Sequence, residues 1–110
     1  MTDITNRIKN AQPLTPAVFH ILFALADGPL HGYAIMQAVD DVSGPGLRMG
    51  PGTIYGSIQR MEEAGLVREL GSSDAKKRRY ALTSNGRKAL RAESERLAHL
   101  SDLVRAKGLT

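Results

Sequence analysis

Apolar positions recur along this chain with two different periods. In "LTPAVFHILFALADGPL" Val18, Leu22 and Leu25 fall at i, i+4 and i+7, with Phe19 and Ile21 widening the face. That spacing predicts a helix nearly surrounded by core. Thr15 is a good N-cap and Pro16 suits the first helical position, where its missing N–H costs nothing. Asp27-Gly28-Pro29 ends the run. A second helix is predicted over "LHGYAIMQAVDDVSG", with Tyr33, Met36 and Val39 at helical spacing beside Ile35, His31 at its start with a phosphate contact as its other reading, and Gly44-Pro45-Gly46 breaking it. Tyr33 is expected in the core or at a hinge between helices, with a DNA contact as its other reading. A third helix opens at Pro51, turns Ile54, Ile58 and Met61 to one side, and closes at Gly65.

The period then shortens. "LVREL" (66–70) and "RYALT" (79–83) read as strands joined by the turn formers of "GSSDAKKR", which predicts a hairpin. Leu47 to Met49 is a short extended piece expected at the sheet edge. Thr83 or Ser84 caps a final helix over about residues 84–107, in which Leu90, Leu97 and Val104 recur every seven residues and Leu100 fills an intermediate position. Three helices, a hairpin and a long helix give a mainly α fold with a small β-hairpin: a winged helix-turn-helix plus a long C-terminal dimerisation helix. Residues 1–83 would form the winged DNA-binding domain with its N-terminal segment, and 84–110 the dimerisation helix.

With the apolar face of the third helix inward, a step of about 100° per residue turns Gly56, Gln59, Arg60 and Glu63 outward and sets Thr53, Tyr55 and Ser57 at the flanks. Gln59 and Arg60 have the donor geometry that reads base edges or holds phosphate; an exposed Gln-Arg pair is also an ordinary solvated surface. Glu62 and Glu63 confine any DNA contact to the N-terminal half. Tyr55 is either a phosphate-contacting hydroxyl or a half-buried ring. Tyr80 should pack inward from its strand.

Charge sharpens the picture. The 110 residues carry a net +4, but residues 1–67 sum to −2 and residues 68–110 to +6. Lys76, Lys77, Arg78 and Arg79 crowd the mouth of a strand, where they repel one another unless a polyanion is expected. The plainer alternative is a solvated loop.

Other chemistries fall away. There is no cysteine, so disulfides, thiolate metal sites and a cysteine nucleophile are excluded, as suits a reducing cytosol. The N-terminus lacks the apolar stretch of a signal peptide, and no apolar run approaches the ~20 residues of a membrane span; a soluble, cytoplasmic protein is expected. His20, His31 and His99 fall on separate segments without the i, i+4 spacing of a helical metal site. Neither metal nor cofactor is expected. No nucleophile elbow, phosphate-binding loop or carboxylate pair in an evident cleft suggests an enzyme.

The last helix has two readings. Its stripe could pack on the chain's own first helix or on a second copy. About 24 residues span ~36 Å, more than a small winged domain needs, and Arg91, Glu93, Glu95 and Arg96 flank the stripe with both signs, which favours a partner. Glu93 falls at a core position, so the contact is not a continuous zipper and would recruit the N-terminal segment.

"LHGYAI", "GPGTIYGSIQRMEEAGLV" and "RRYALTSNGRKAL" together resemble the PadR family of bacterial winged-helix transcriptional regulators over residues 14–90. The brevity of the C-terminal part resembles the short subgroup, with a single final helix. The resemblance implies that Thr53, Tyr55 and neighbouring exposed residues contact DNA and that Lys76 to Arg79 belong to the wing. It also implies a homodimer built on the last helix together with Ile4 and Ile8, repression of an inverted-repeat operator, and release by a small-molecule effector. Some short members hold flat ligands against aromatic residues of the last helix; residues 84–110 contain none. Two other readings stand beside this one: a winged protein-interaction module and a small-ligand sensor without operator binding.

Overall fold

The computed structural model of the chain describes residues 14–43, 49–71 and 78–110. Helix α1 (Pro16–Ala24) starts where Thr15 accepts a hydrogen bond from the Val18 amide. A 3-10 turn, Leu25–Asp27, carries it to Gly28. Strand β1 (Leu30–His31), helix α2 (Gly32–Ser43), helix α3 (Pro51–Glu63), strands β2 (Val67–Leu70) and β3 (Arg79–Leu82) and helix α4 (Ser84–Ala106) follow. The predicted helices and hairpin are all present.

Among the described residues the sheet has three antiparallel strands in the order β1-β3-β2. Its third strand goes beyond the expected hairpin. That strand is Leu30–His31, paired Leu30 to Tyr80 and His31 to Arg79, which the periodicity does not give. Met49 is buried in the core ahead of α3; Leu47, Arg48 and the Gly44-Pro45-Gly46 breaker lie outside the described residues. Pro29 cannot continue the preceding turn, so the chain leaves it extended and meets the open side of β3.

The core gathers Ile21, Leu22 and Leu25 of the first helix and its turn, Ile35 and Val39 of α2, Ile54, Ile58 and Met61 of α3, and Val67, Tyr80 and Leu90. Two apolar expectations need correcting. Phe23 is 47% exposed, so α1 is not surrounded, and Tyr33 is 63% exposed. With Ile35 and Val39 turned inward, Tyr33 falls roughly 200° from Ile35, and its hydroxyl accepts a hydrogen bond from Gln37.

The join between α3 and the wing is tightly tied. Gly65 adopts φ 77°, which lets its amide reach the Glu62 carbonyl and the Leu66 amide reach that of Met61, a Schellman closure of the helix. Thr83 then clasps this turn. Its hydroxyl donates to the Gly65 carbonyl at 2.6 Å and accepts from the Gly86 amide at 2.9 Å, while its own amide donates to the Leu66 carbonyl at 3.1 Å. Thr83 is thus the N-cap of α4, and a side chain at Gly86 would run into the Leu66 carbonyl.

The first half of α4 packs with the winged body and the second half leaves it. Leu90, expected at a dimer contact, is 8% exposed and belongs to the chain's own core. Leu97, Leu100, Leu103 and Val104 are exposed. No helix among the described residues is long and apolar enough to cross a membrane.

Candidate nucleic-acid interface

Helix α3 can show a face to solvent because its apolar residues occupy one side only: Ile54, Ile58 and Met61 are buried. Thr53, Tyr55, Gln59 and Arg60 are exposed and Gly56 is half-buried, as the spacing predicts. Ser57 is a correction. It is 3% exposed, because its step of about −100° from Ile58 carries it under the neighbouring elements. Its hydroxyl accepts from Arg60 Nη2 at 3.3 Å. Ser57 therefore orients Arg60 and cannot itself reach a ligand on the outer face.

The wing base lies against this helix. Tyr80 of β3 is buried, and its hydroxyl is pushed above the ordinary range by burial first and then by the negative potential of Glu69 and Glu62; Tyr55 also acts on it. The phenol stays neutral at the junction. Arg79 is exposed on β3. Arg78 is exposed too, but its Nε lies 3.1 Å from the Glu69 carboxylate, so part of its charge is answered within the sheet. Lys76 and Lys77 lie outside the described residues.

Two residues that periodicity could not single out complete the surface. His31 stands opposite Arg79 in the β1–β3 register, and its Nδ1–H donates to the Arg78 carbonyl at 3.3 Å. It closes β1 and immediately precedes Gly32, the first residue of α2, so it stands at the entry to that helix as expected. Gly32 follows, buried beneath the Tyr55 ring. The only sequence signal for either was the "LHGY" stretch. A continuous series of neighbours therefore runs from Tyr55 on α3 through Gly32 and His31 to Arg79 on the wing strand.

The dimer-interface candidates divide. Leu97, Leu100 and Val104 form an exposed row at i, i+3 and i+7 on α4, whereas Leu90 is inside. Ile4 and Ile8 lie outside the described residues. A cavity of about 270 Å³ opens between α1 and α4, lined by Phe19, His20, Leu97 and the Glu93–Arg96 pair among others. Among the described residues, no group of three or more His, Asp or Glu could hold a metal ion.

Three helices, a hairpin and a return strand that feeds a long helix define a winged helix-turn-helix. The comparisons then narrow the class. Residues 21–92 match the transcriptional regulator PadR-like family, and the chain belongs to it. It is 48% identical over 84 residues to an uncharacterized 37.1 kDa protein in transposon TN4556 of Streptomyces fradiae, covering 76% of this chain but only 24% of that protein. It is 38% identical over 84 residues to transcriptional regulator Rv3488 of Mycobacterium tuberculosis, covering 74% of this chain and 76% of that one. Among solved structures, a PadR family transcription regulator from Clostridium difficile R20291 shares the fold at TM-score 0.72 and 21% identity, over 84% of this chain and 97% of that one. Bacillus subtilis PadR in complex with operator DNA does so at TM-score 0.61 and 23% identity, over 73% and 46%.

Proposed function

We propose that this chain binds an inverted-repeat DNA operator as a homodimer and represses transcription there. The observation that carries the reading is the joined surface of α3 and the wing. Thr53, Tyr55, Gln59 and Arg60 share an exposed helix face, and the His31–Arg79 pairing holds a cationic strand beside it. Helix α3 would enter the major groove, with Gln59 and Arg60 reading base edges, while Lys76 to Arg79 meet flanking phosphate. Gly56, lacking a side chain, would let the helix backbone come close.

Dimerisation would use the exposed row Leu97, Leu100 and Val104, with Ile4 and Ile8 of the N-terminal segment. Its role is to hold two readers at a fixed separation. Release by a small effector is the finer part of the reading. Bacillus subtilis PadR has been solved with p-coumaric acid, and the cavity between α1 and α4 would be the place here for such a molecule to act on helix orientation. Because α4 has no aromatic residue, the rings available for stacking are on α1.

Selection of bound sequences from random duplexes tests the proposal. The expected product is a palindrome whose half-sites lie about 34 Å apart, or a multiple of it. Recovery of no duplex at low salt would reject operator binding and favour a module that grips an acidic protein.

A further inference from the structure

We infer that Gly32 is a positioning residue for DNA recognition: its bare α-carbon is the seat that fixes where the Tyr55 side chain lies between α3 and the wing strand. This rests on the reading above, that the face meets a duplex.

Gly32 opens α2 and is buried. It is not among the glycines with positive φ, which are Gly28, Gly65 and Gly108 among the described residues. The backbone would thus accept alanine, a better helix former. What forbids a side chain is Tyr55. A Cβ at position 32 would stand 2.5 Å from Tyr55 Cε1 and Oη and 2.7 Å from Cζ. All three atoms are the far end of a flexible side chain, and Tyr55 as a whole residue is 48% exposed, so the ring can swing outward. A methyl group here would leave the fold in place and displace the tyrosine.

The displacement matters because of what adjoins the seat. His31, the next residue back, is in register with Arg79 and bonds the Arg78 carbonyl. The His31-Gly32 pair thereby refers Tyr55 to the wing strand. Pushing the ring outward changes the distance between the helix contact and the wing contacts, which a duplex of fixed groove geometry does not accommodate.

The test is a double-mutant cycle in the full chain: wild type, Gly32→Ala, Tyr55→Ala and both together. Each is titrated against the duplex that wild type selects, and each is melted. Gly32→Ala is expected to keep the wild-type melting temperature and to weaken binding about tenfold to a hundredfold, the size of one hydrogen bond to a charged group. Added to Tyr55→Ala it should weaken binding no further, since its target is already gone. Wild-type affinity in Gly32→Ala, or losses that multiply in the double variant, overturns the inference. If Gly32→Ala melts early, Tyr55→Ala in the same chain restores the melting temperature when the ring is the obstacle; failure to restore it also overturns the inference. Failure of wild type to select any duplex is a separate result, and rejects the DNA reading with everything built on it.

Discussion

Arg96 grips Glu93 at two points, its Nε and Nη2 donating to separate carboxylate oxygens at 2.7 Å each. Glu93 is 3% exposed, and the Leu14 amide donates to it as well. A charge set within an apolar stripe thus fastens the middle of α4 to the chain entering α1. The hydrogen bonds from Arg96 hold the Glu93 carboxyl below its ordinary value of 4.5, against the opposing pull of burial.

A carboxyl whose folded pKa is depressed stabilises fully above its unfolded value and loses that contribution as pH falls through the folded one. Wild type should therefore lose stability as pH drops below 4.5. Arg96→Ala strands a buried carboxylate and should lower the urea midpoint at neutral pH, with the deficit shrinking in acid. Urea titrations at neutral and acidic pH check this; a deficit that stays constant with pH contradicts it.

Two glycines should respond oppositely to alanine. At Gly86 the added carbon meets the Leu66 carbonyl; both partners are backbone, and overpacking of this kind costs about 1–3 kcal/mol. At Gly56 the nearest neighbour is Arg60 Nη1 at 3.6 Å, an ordinary contact, so the helix should gain roughly 0.5–1 kcal/mol. Gly56→Ala should nevertheless weaken duplex binding if the helix approaches closely there. Thermal melts and a binding titration decide both.

Salt dependence should separate the two arginines of the wing base. Every phosphate that a variant leaves unneutralised makes the salt slope shallower by about 0.9. Arg79→Ala should show that change and Arg78→Ala less of it, because Glu69 already lies 3.1 Å from Arg78. Glu69→Gln should tighten binding by freeing Arg78. Equal slopes for both alanine variants would refute the distinction.

Leu90 and Leu97 occupy the same position of a seven-residue repeat and should behave differently. Leu90→Ala empties a core site and should cost about 2–5 kcal/mol of folding stability, leaving assembly unaffected where the fold survives. Leu97→Ala with Leu100→Ala should leave the fold near its wild-type stability and move the sedimentation profile toward monomer. A monomeric wild type would reject the dimer.

These contrasts mark what could be read from the chain alone. Helix ends were legible because Thr15, Pro51, Gly65 and Thr83 are local signals whose effect needs no distant partner. Strand β1 was not: two residues have no period, and its partner β3 lies some fifty positions away. Ser57 was misplaced because a small polar residue beside Ile58 gives no hydropathy signal of burial. The repeat in α4 showed an apolar stripe, but not where the body of the domain ends beneath it, so Leu90 and Leu97 looked alike. Gly32 carried no signal of its own, because the Tyr55 ring that rests on it comes from another helix.

The clasp at Thr83 has a mechanical consequence. One hydroxyl bridges the last turn of α3 and the first turn of α4, and Gly86 leaves no slack between α4 and the Leu66 carbonyl. The long helix is accordingly geared to its neighbour, like a crank keyed to a shaft. The end of α3 and the start of α4 are thus set as one corner, and removing the Thr83 hydroxyl would release both turns together.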